Sequence, residues 1–291
     1  MLSAGEIVHV LDPRGNKYTI TLEVGHALHT HRGQIAHDLL IGRSPGFTIA
    51  STKDVEFLVM RPQLDDYVLG MPRGAAVVYP KDAARIVALA DVGEGSSVVE
   101  AGAGSGALTC YLVRAAGSHG SVVSIEARPD FAEIATENVR RWFGGTPRTW
   151  SICVGTFQEV AAAMSPETVD AVVLDMLAPW ECLPSADHIL KPGGALVVYV
   201  ATTTQMSRVV EEMRASNRWV EPRAEELMLR TWHLDGLAVR PDHRMNGHTG
   251  FLVSSRRMAS DSSPPRRHRR PAPGAYGSDY SGPGALSSHG D

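Results

Sequence analysis

The feature that most restricts what this chain can fold into is a β-branched run ending in three alternating glycines, Ser97-Val98-Val99-Glu100-Ala101-Gly102-Ala103-Gly104-Ser105-Gly106-Ala107. Glycine accepts positive φ and lets the backbone approach a ligand closely. A strand, a tight turn and a helix N-terminus are therefore expected in succession, with N–H groups turned toward a bound nucleotide. Gly102, Gly104 and Ala107 nearly satisfy the dinucleotide fingerprint, which leaves nicotinamide dinucleotides and S-adenosyl-L-methionine both open. Glu100, just before the turn, favours the second: a carboxylate there repels a pyrophosphate but suits a cofactor bearing an ammonium and a sulfonium. Glu126 ends the next apolar run, where its carboxylate can accept both ribose hydroxyls. Both cofactors carry a ribose, so Glu126 points to a nucleoside without choosing between them.

From about Pro80 onward, helical segments alternate with short Val, Ile and Leu runs, the pattern of a parallel sheet covered by helices. Strands are expected at 97–101, 122–126, 151–154, 169–175 and 195–200, and helices at 82–90, 108–116, 129–142 and 205–216. Two further apolar runs, at 234–239 and 251–253, are candidates to extend the sheet. The expected fold class is α/β, a doubly wound Rossmann-like sheet. Residues 1–70 read differently: apolar runs at 7–10, 18–22 and 57–60, separated by turn signals such as Asp12-Pro13-Arg14-Gly15, predict a small β-rich N-terminal domain. The glycine turn then belongs to a domain spanning 71–257. Residues 258–291 are rich in Ser, Pro, Gly and Arg, so burial cannot offset their ordering entropy and a disordered tail is expected.

No stretch approaches the roughly 20 apolar residues of a bilayer span, and Met1-Leu2-Ser3-Ala4-Gly5-Glu6 lacks the basic start of a secretory leader. A cytoplasmic protein is expected. The three cysteines, Cys110, Cys153 and Cys182, are far apart without metal-ligand spacing and read as reduced core residues. His26, His29, His31 and His37 also lack the regular spacing of a first-row metal site, and no metal is expected. With a net charge of −4, nucleic-acid contact must come from local basic patches rather than global charge. Arg73, Lys81, Arg85, Arg240 and Arg244 are candidates for phosphates, and Arg266-Arg267-His268-Arg269-Arg270 for nonspecific RNA affinity.

A second motif carries chemistry. Val172-Val173-Leu174-Asp175-Met176-Leu177-Ala178-Pro179-Trp180 runs an apolar strand into an acid, a proline and an aromatic. Ligands of open α/β sheets lie outside the carboxyl ends of the strands, so Asp175 is expected to face the transferred group. The alternative, an N-cap for the next helix, is an ordinary use of aspartate. Lys191-Pro192-Gly193-Gly194 then turns into the fifth strand.

Together with Tyr79-Pro80-Lys81-Asp82-Ala83 and His29-Thr30-His31-Arg32-Gly33, these segments resemble the bacterial tRNA (adenine-N1)-methyltransferase family, over roughly residues 5–257. The resemblance implies a class I methyltransferase domain behind a β-rich N-terminal domain, a homotetramer, and transfer of methyl from S-adenosyl-L-methionine to N1 of adenine 58 in the tRNA T-loop. By residue it implies cofactor contacts at Glu100, Gly102, Gly104, Ser105, Gly106, Ala107, Phe131 and Thr156, the ribose on Glu126, and Asp175 beside both cofactor and base. Thr156 departs from the acid that many methyltransferases place after the third strand; a hydroxyl accepts the adenine amino hydrogen bond more weakly than a carboxylate.

Adenine N1 already holds an in-plane lone pair, so no strong base is required, and a fixed carboxylate stabilises the charge that develops on the ring. Asp175 is expected in that role. N1 lies on the Watson–Crick edge, so the nucleotide must be extruded, and Tyr79 and Trp180 are the aromatic candidates to hold it. An NAD-dependent oxidoreductase, a non-catalytic RNA-binding subunit, and a methyltransferase acting on protein or a small molecule, which the glycine turn alone leaves open, are the rival readings. The first leaves the Asp175 and Lys191 motifs without a place; the second does not need an intact glycine turn together with Asp175.

Overall fold

The structure is a computed structural model that describes residues 1–74 and 76–265. Two bodies follow one another. The N-terminal strands are β1 (Ile7–Leu11), β2 (Lys17–Thr21), β3 (Ala27–Thr30), β4 (Gly33–Ala36), β5 (Phe47–Ala50) and β6 (Glu56–Met60). They form an antiparallel sheet in the order β2-β1-β6-β5 and a separate β3-β4 hairpin. β6 alternates exposed and buried residues along its length, as a half-buried strand must. Val8, Val10, Leu22, Phe57 and Val59 close this small core.

Helix α1 (Leu64–Gly70) belongs to the second body. Its Leu64, Tyr67 and Val68 share a core with Ile86, Leu112 and Val173, and the Tyr67 hydroxyl donates to the Asn138 carbonyl at 2.7 Å. The β-rich texture expected to residue 70 therefore ends with β6. Two acids and a tyrosine hid a short helix whose apolar face is satisfied only by tertiary contact.

The second body alternates strand and helix: α2 (Pro80–Leu89), β7 (Ser97–Ala101), α3 (Ala107–Ala116), β8 (Ser121–Glu126), α4 (Pro129–Phe143), β9 (Trp150–Val154), α5 (Phe157–Ala162) and β10 (Val169–Asp175). Then come α6 (Leu183–Ile189), β11 (Leu190–Val200), α7 (Thr203–Ser216), β12 (Arg223–Glu225), β13 (Trp232–Asp235), β14 (Ala238–Pro241) and β15 (Phe251–Arg256). α5, α6 and β12 were not foreseen: each is too short to print a period of its own. α4 shows why the long helices were legible. Pro129 stands at its start, Gly144 ends it in the left-handed region, and Phe131, Ala132, Ala135, Asn138 and Val139 form its buried stripe.

The central sheet has the order β12-β15-β11-β10-β7-β8-β9, with every strand running the same way except β15, which is antiparallel to both of its neighbours. Its middle strands are buried on both faces, which explains the continuous Val and Leu runs. Chain order reverses between β7 and β10, so the switch point of this doubly wound sheet lies where Ala101 and Asp175 end their strands.

Residues 191–194 bulge within β11 rather than preceding it: Leu190 pairs with Val169, and Ala195 with Ala171. The run at 251–253 joins the sheet as expected, but the run at 234–239 does not. It forms the separate β13-β14 hairpin, with Leu234 at 73% and Leu237 at 103% relative exposure. The short β12 already occupies the sheet edge. The expected disordered tail lies outside the described residues from 266 onward, as does the 266–270 basic cluster.

Among the described residues, no helix is long and apolar enough to cross a membrane.

Candidate active site

The register of the sheet brings the site together. Leu174 pairs with Ala101 and Ala101 with Ile125, so Asp175, Gly102 and Glu126 leave their strands side by side. Gly102 and Ala103 donate their N–H groups to the Ile125 carbonyl at 2.9 and 3.2 Å, pinning the first half of the turn to β8. Gly104 N–H donates to Glu126 Oε2 at 2.8 Å, and Arg128 N–H to Oε1 at 3.1 Å. Each oxygen of this carboxylate keeps an acceptor position for a ribose hydroxyl.

Each glycine of the turn answers a different steric demand. Gly102 has φ +86°, and a Cβ there would lie 1.8 Å from the Asp175 carbonyl oxygen. At Gly106 the Cβ would meet the Ala135 backbone at 3.1 Å, so this residue lets α3 and α4 pack. A Cβ on Gly104 would meet nothing nearer than the Gly102 carbonyl oxygen at 3.9 Å, leaving this stretch of backbone open to a ligand. α3 starts at Gly106 with no side-chain cap, so its first N–H groups are available to an anion such as a carboxylate.

Three carboxylates converge on this turn. Glu100 is buried and accepts the hydroxyls of Thr109 and Ser124 at 2.6 Å each on Oε2, while Oε1 has no partner. Burial, with the charges of Asp175 and Glu126 added, raises its pKa to about 7, against the pull of those two hydroxyls. Burial and the Glu126 charge raise Asp175 to about 7 as well. Among the described residues no side-chain or main-chain donor is hydrogen-bonded to the Asp175 carboxylate, which makes the N-cap alternative untenable. A crevice that holds Glu100 and Asp175 at this energetic disadvantage, with the Glu126 carboxylate beside them, is built for a cation. The residues fit S-adenosyl-L-methionine: an acid pair for positive charge, a glycine backbone open to approach, a ribose acceptor and an uncapped helix start.

The other expected residues are placed as follows. Ser105 is buried, with Oγ unpartnered. Ala107 opens α3. Phe131 is buried, with the Arg128 guanidinium 3.2 Å above its ring and Gly74 so close that a Cβ would stand 2.3 Å from Cε1. Thr156 is the N-cap of α5: its hydroxyl donates to Glu159 Oε2 at 2.7 Å and accepts Glu159 N–H at 3.3 Å. This capping box leaves the hydroxyl one acceptor position, so the residue that replaces the usual acid already holds a helix. Tyr79, half-buried, precedes Pro80 at the start of α2, near enough to Tyr199 to influence its ionisation.

Three expectations are corrected. Lys81 is not free for phosphate: its side chain is only 10% exposed and pairs with Asp82 at 2.8 Å. Arg85 is engaged by both oxygens of Glu225. Trp180 packs into the second core with the Arg208 guanidinium 4.1 Å over its ring, a packing role rather than an open stacking face. Sequence reasoning also missed Tyr199, the cross-strand partner of Asp175, and Thr249, which accepts the Tyr199 hydroxyl on its carbonyl at 2.8 Å. The polar ring closing Ala195-Leu196-Val197-Val198-Tyr199 was the one available signal for the first; nothing marked the second.

A family model described as the tRNA methyltransferase complex GCD14 subunit matches residues 55–239, and one described as TrmI-like N-terminal matches residues 1–49. The chain belongs to this family of tRNA methyltransferases. Among curated members, the tRNA (adenine(58)-N(1))-methyltransferase TrmI of Thermus thermophilus is 36% identical, covering 84% of this chain and 94% of that protein. The tRNA (adenine(57)-N(1)/adenine(58)-N(1))-methyltransferase TrmI of Methanocaldococcus jannaschii is 31% identical over 72% of this chain and 82% of that one. The crystal structure of tRNA (m1A58) methyltransferase TrmI from Aquifex aeolicus superposes with a TM-score of 0.76 at 25% identity, covering 89% of this chain and 99% of that chain. A SAM-dependent O-methyltransferase structure from Thermotoga maritima reaches 0.82 at 27% identity, covering 92% and 96%. The fold is that of the class I methyltransferases behind a small β-rich region.

Proposed function

We propose that this protein transfers the methyl group of S-adenosyl-L-methionine to N1 of adenine 58 in the T-loop of tRNA. The observation that carries this reading is the unpartnered carboxylate of Asp175 at the switch point, against the Gly102 turn, in a member of the tRNA methyltransferase family. The bound cofactor supplies an electrophilic methyl carbon on a sulfonium. Gly104, Ser105, Gly106 and Ala107 offer backbone to it, Glu126 its ribose acceptor, Glu100 and Asp175 negative charge, and Phe131 and Thr156 line the adenosine side.

The N1 lone pair forms the new N–C bond as the S–C bond breaks, and no proton moves. Positive charge then spreads over the ring and its amino group. Asp175, ionised, stabilises that charge from the end of β10, and Tyr79 at the start of α2 holds the extruded base. Bringing the two reactants into line is expected to supply much of the rest, on the order of 7 to 11 kcal/mol.

The β13-β14 hairpin supports assembly into a homotetramer. Trp232, Leu234, Leu237 and Val239 are at least half exposed on it, an apolar display that a lone monomer rarely retains. The reading also places the enzyme in the cytoplasm, where tRNA is modified.

The deciding experiment is methyl incorporation from labelled S-adenosyl-L-methionine into an unmodified tRNA transcript and into the same transcript with adenine 58 changed to uracil. Label in the first alone is expected; equal label would move the target, and none in either would remove the activity.

A further inference from the structure

The Tyr79-Pro80-Lys81-Asp82 segment carries a buried polar array that neither the cofactor cradle nor phosphate binding explains. Asp82 is fully buried. Lys81 Nζ donates to Asp82 Oδ1 at 2.8 Å and to Thr249 Oγ1 at 2.6 Å, and Thr249 Oγ1 donates to Asp82 Oδ2 at 2.6 Å. Ammonium, carboxylate and hydroxyl thus close a three-membered ring between residues 167 and 168 positions apart in the chain. A buried acid left without such partners is strongly destabilising, so the ring holds only while all three are present.

The ring reaches the active site through Thr249. Its carbonyl accepts the Tyr199 hydroxyl at 2.8 Å, and the next residue, Gly250, presses on the Tyr199 ring so closely that a Cβ would stand 2.4 Å from Cζ. Tyr199 is the cross-strand partner of Asp175, and Tyr79 stands two residues ahead of Lys81. The residues leading into Thr249, from His243 to His248, are exposed.

We propose that Thr249 is a positioning residue for methyl transfer: clamped by Lys81 and Asp82, it sets the Tyr199 ring beside Asp175 and ties the Tyr79 end of α2 to the same point. The inference rests on the roles given above to Asp175 and Tyr79. A clamp of this kind suits the chemistry, because Asp175 on β10, Tyr199 on β11 and Tyr79 at the start of α2 come from three separate elements. Displacement of a catalytic group by about 1 Å can lower a rate on the order of 10²-fold.

Thr249→Val removes the hydroxyl at nearly constant volume, and Thr249→Ser keeps it. Both full-length variants are compared with the wild type in three measurements: steady-state methylation of tRNA, S-adenosyl-L-methionine binding by calorimetry, and amide hydrogen exchange over residues 248–252. For Thr249→Val, kcat is expected to fall on the order of tenfold or more, with cofactor affinity held within about threefold and exchange faster at 248–252. Thr249→Ser is expected to restore kcat and protection together. Unchanged exchange in Thr249→Val overturns the clamp. Faster exchange with unchanged kcat overturns the positioning role, and so does a loss of kcat that serine does not rescue. A wild type that binds cofactor but methylates no tRNA refutes the proposed function and with it the positioning role, while the exchange data still decide the clamp.

Discussion

Gly102 and Asp175 meet backbone to backbone: the α-hydrogen of the glycine points at the carbonyl end of β10, where a Cβ would stand 1.8 Å from the Asp175 oxygen. The turn that receives the cofactor and the strand that delivers the acid are thereby held in one fixed relation. Gly102→Ala is expected to disturb both. Positive φ alone costs about 1 to 2 kcal/mol in a residue with a Cβ, and the collision adds to it. Thermal unfolding should show the lost stability, and calorimetry a loss of S-adenosyl-L-methionine binding; a variant as stable and as tightly binding as the wild type would refute this relation.

Asp175→Asn separates charge from shape. Transition-state stabilisation by one preorganised group is commonly worth on the order of 10² to 10³ in kcat, and a loss of that size is expected with cofactor affinity changed far less. Unchanged turnover would remove Asp175 from the mechanism.

The raised carboxyl pKa values give a pH signature. Glu100 and Asp175 titrate at about 7 in the folded chain against ordinary values of 4.5 and 3.8, so the native state holds protons that the unfolded state has released. The contribution of these two groups to stability is therefore full below about pH 4 and falls as pH rises toward 7. Unfolding compared between pH 5 and pH 8 is expected to show Asp175→Asn gaining on the wild type as pH increases. An equal pH slope in both proteins would count against an enclosed, repelled carboxylate.

Binding a cationic cofactor should pull those protons off. At pH 7, calorimetric titration in buffers of different ionisation enthalpy is expected to detect release of up to about one proton per cofactor bound, diminishing at pH 8.5. Proton uptake instead would mean that the acids do not face the positive charge.

Thr156 offers a test of the capping box. Thr156→Ala is expected to lose about 1 kcal/mol of stability, because both the N-cap acceptor and its reciprocal partner Glu159 are undone. Thr156→Asp keeps an N-cap and restores the acid found in many methyltransferases, so its stability should stay near the wild type while cofactor affinity rises. Calorimetry showing no gain in affinity would place the adenine amino group elsewhere.

Much of this protein was written in local sequence. The central strands, the glycine turn and the long helices were legible because each states its own period or steric need: β-branched runs buried on both faces, positive φ at Gly102, a proline start and a glycine end on α4. Asp175 and Glu126 followed from their places at strand ends. What only the tertiary structure decided depends on partners distant in the chain. Leu64–Gly70 is a helix because the second core covers it; the run at 234–239 is a separate hairpin because β12 already holds the sheet edge. Lys81 looked like a phosphate contact until Asp82 and Thr249 enclosed it. A lysine's spacing along the chain says nothing about which charges surround it. Burial and pairing are properties of neighbours in space, and those neighbours exist only once the sheet has set its register.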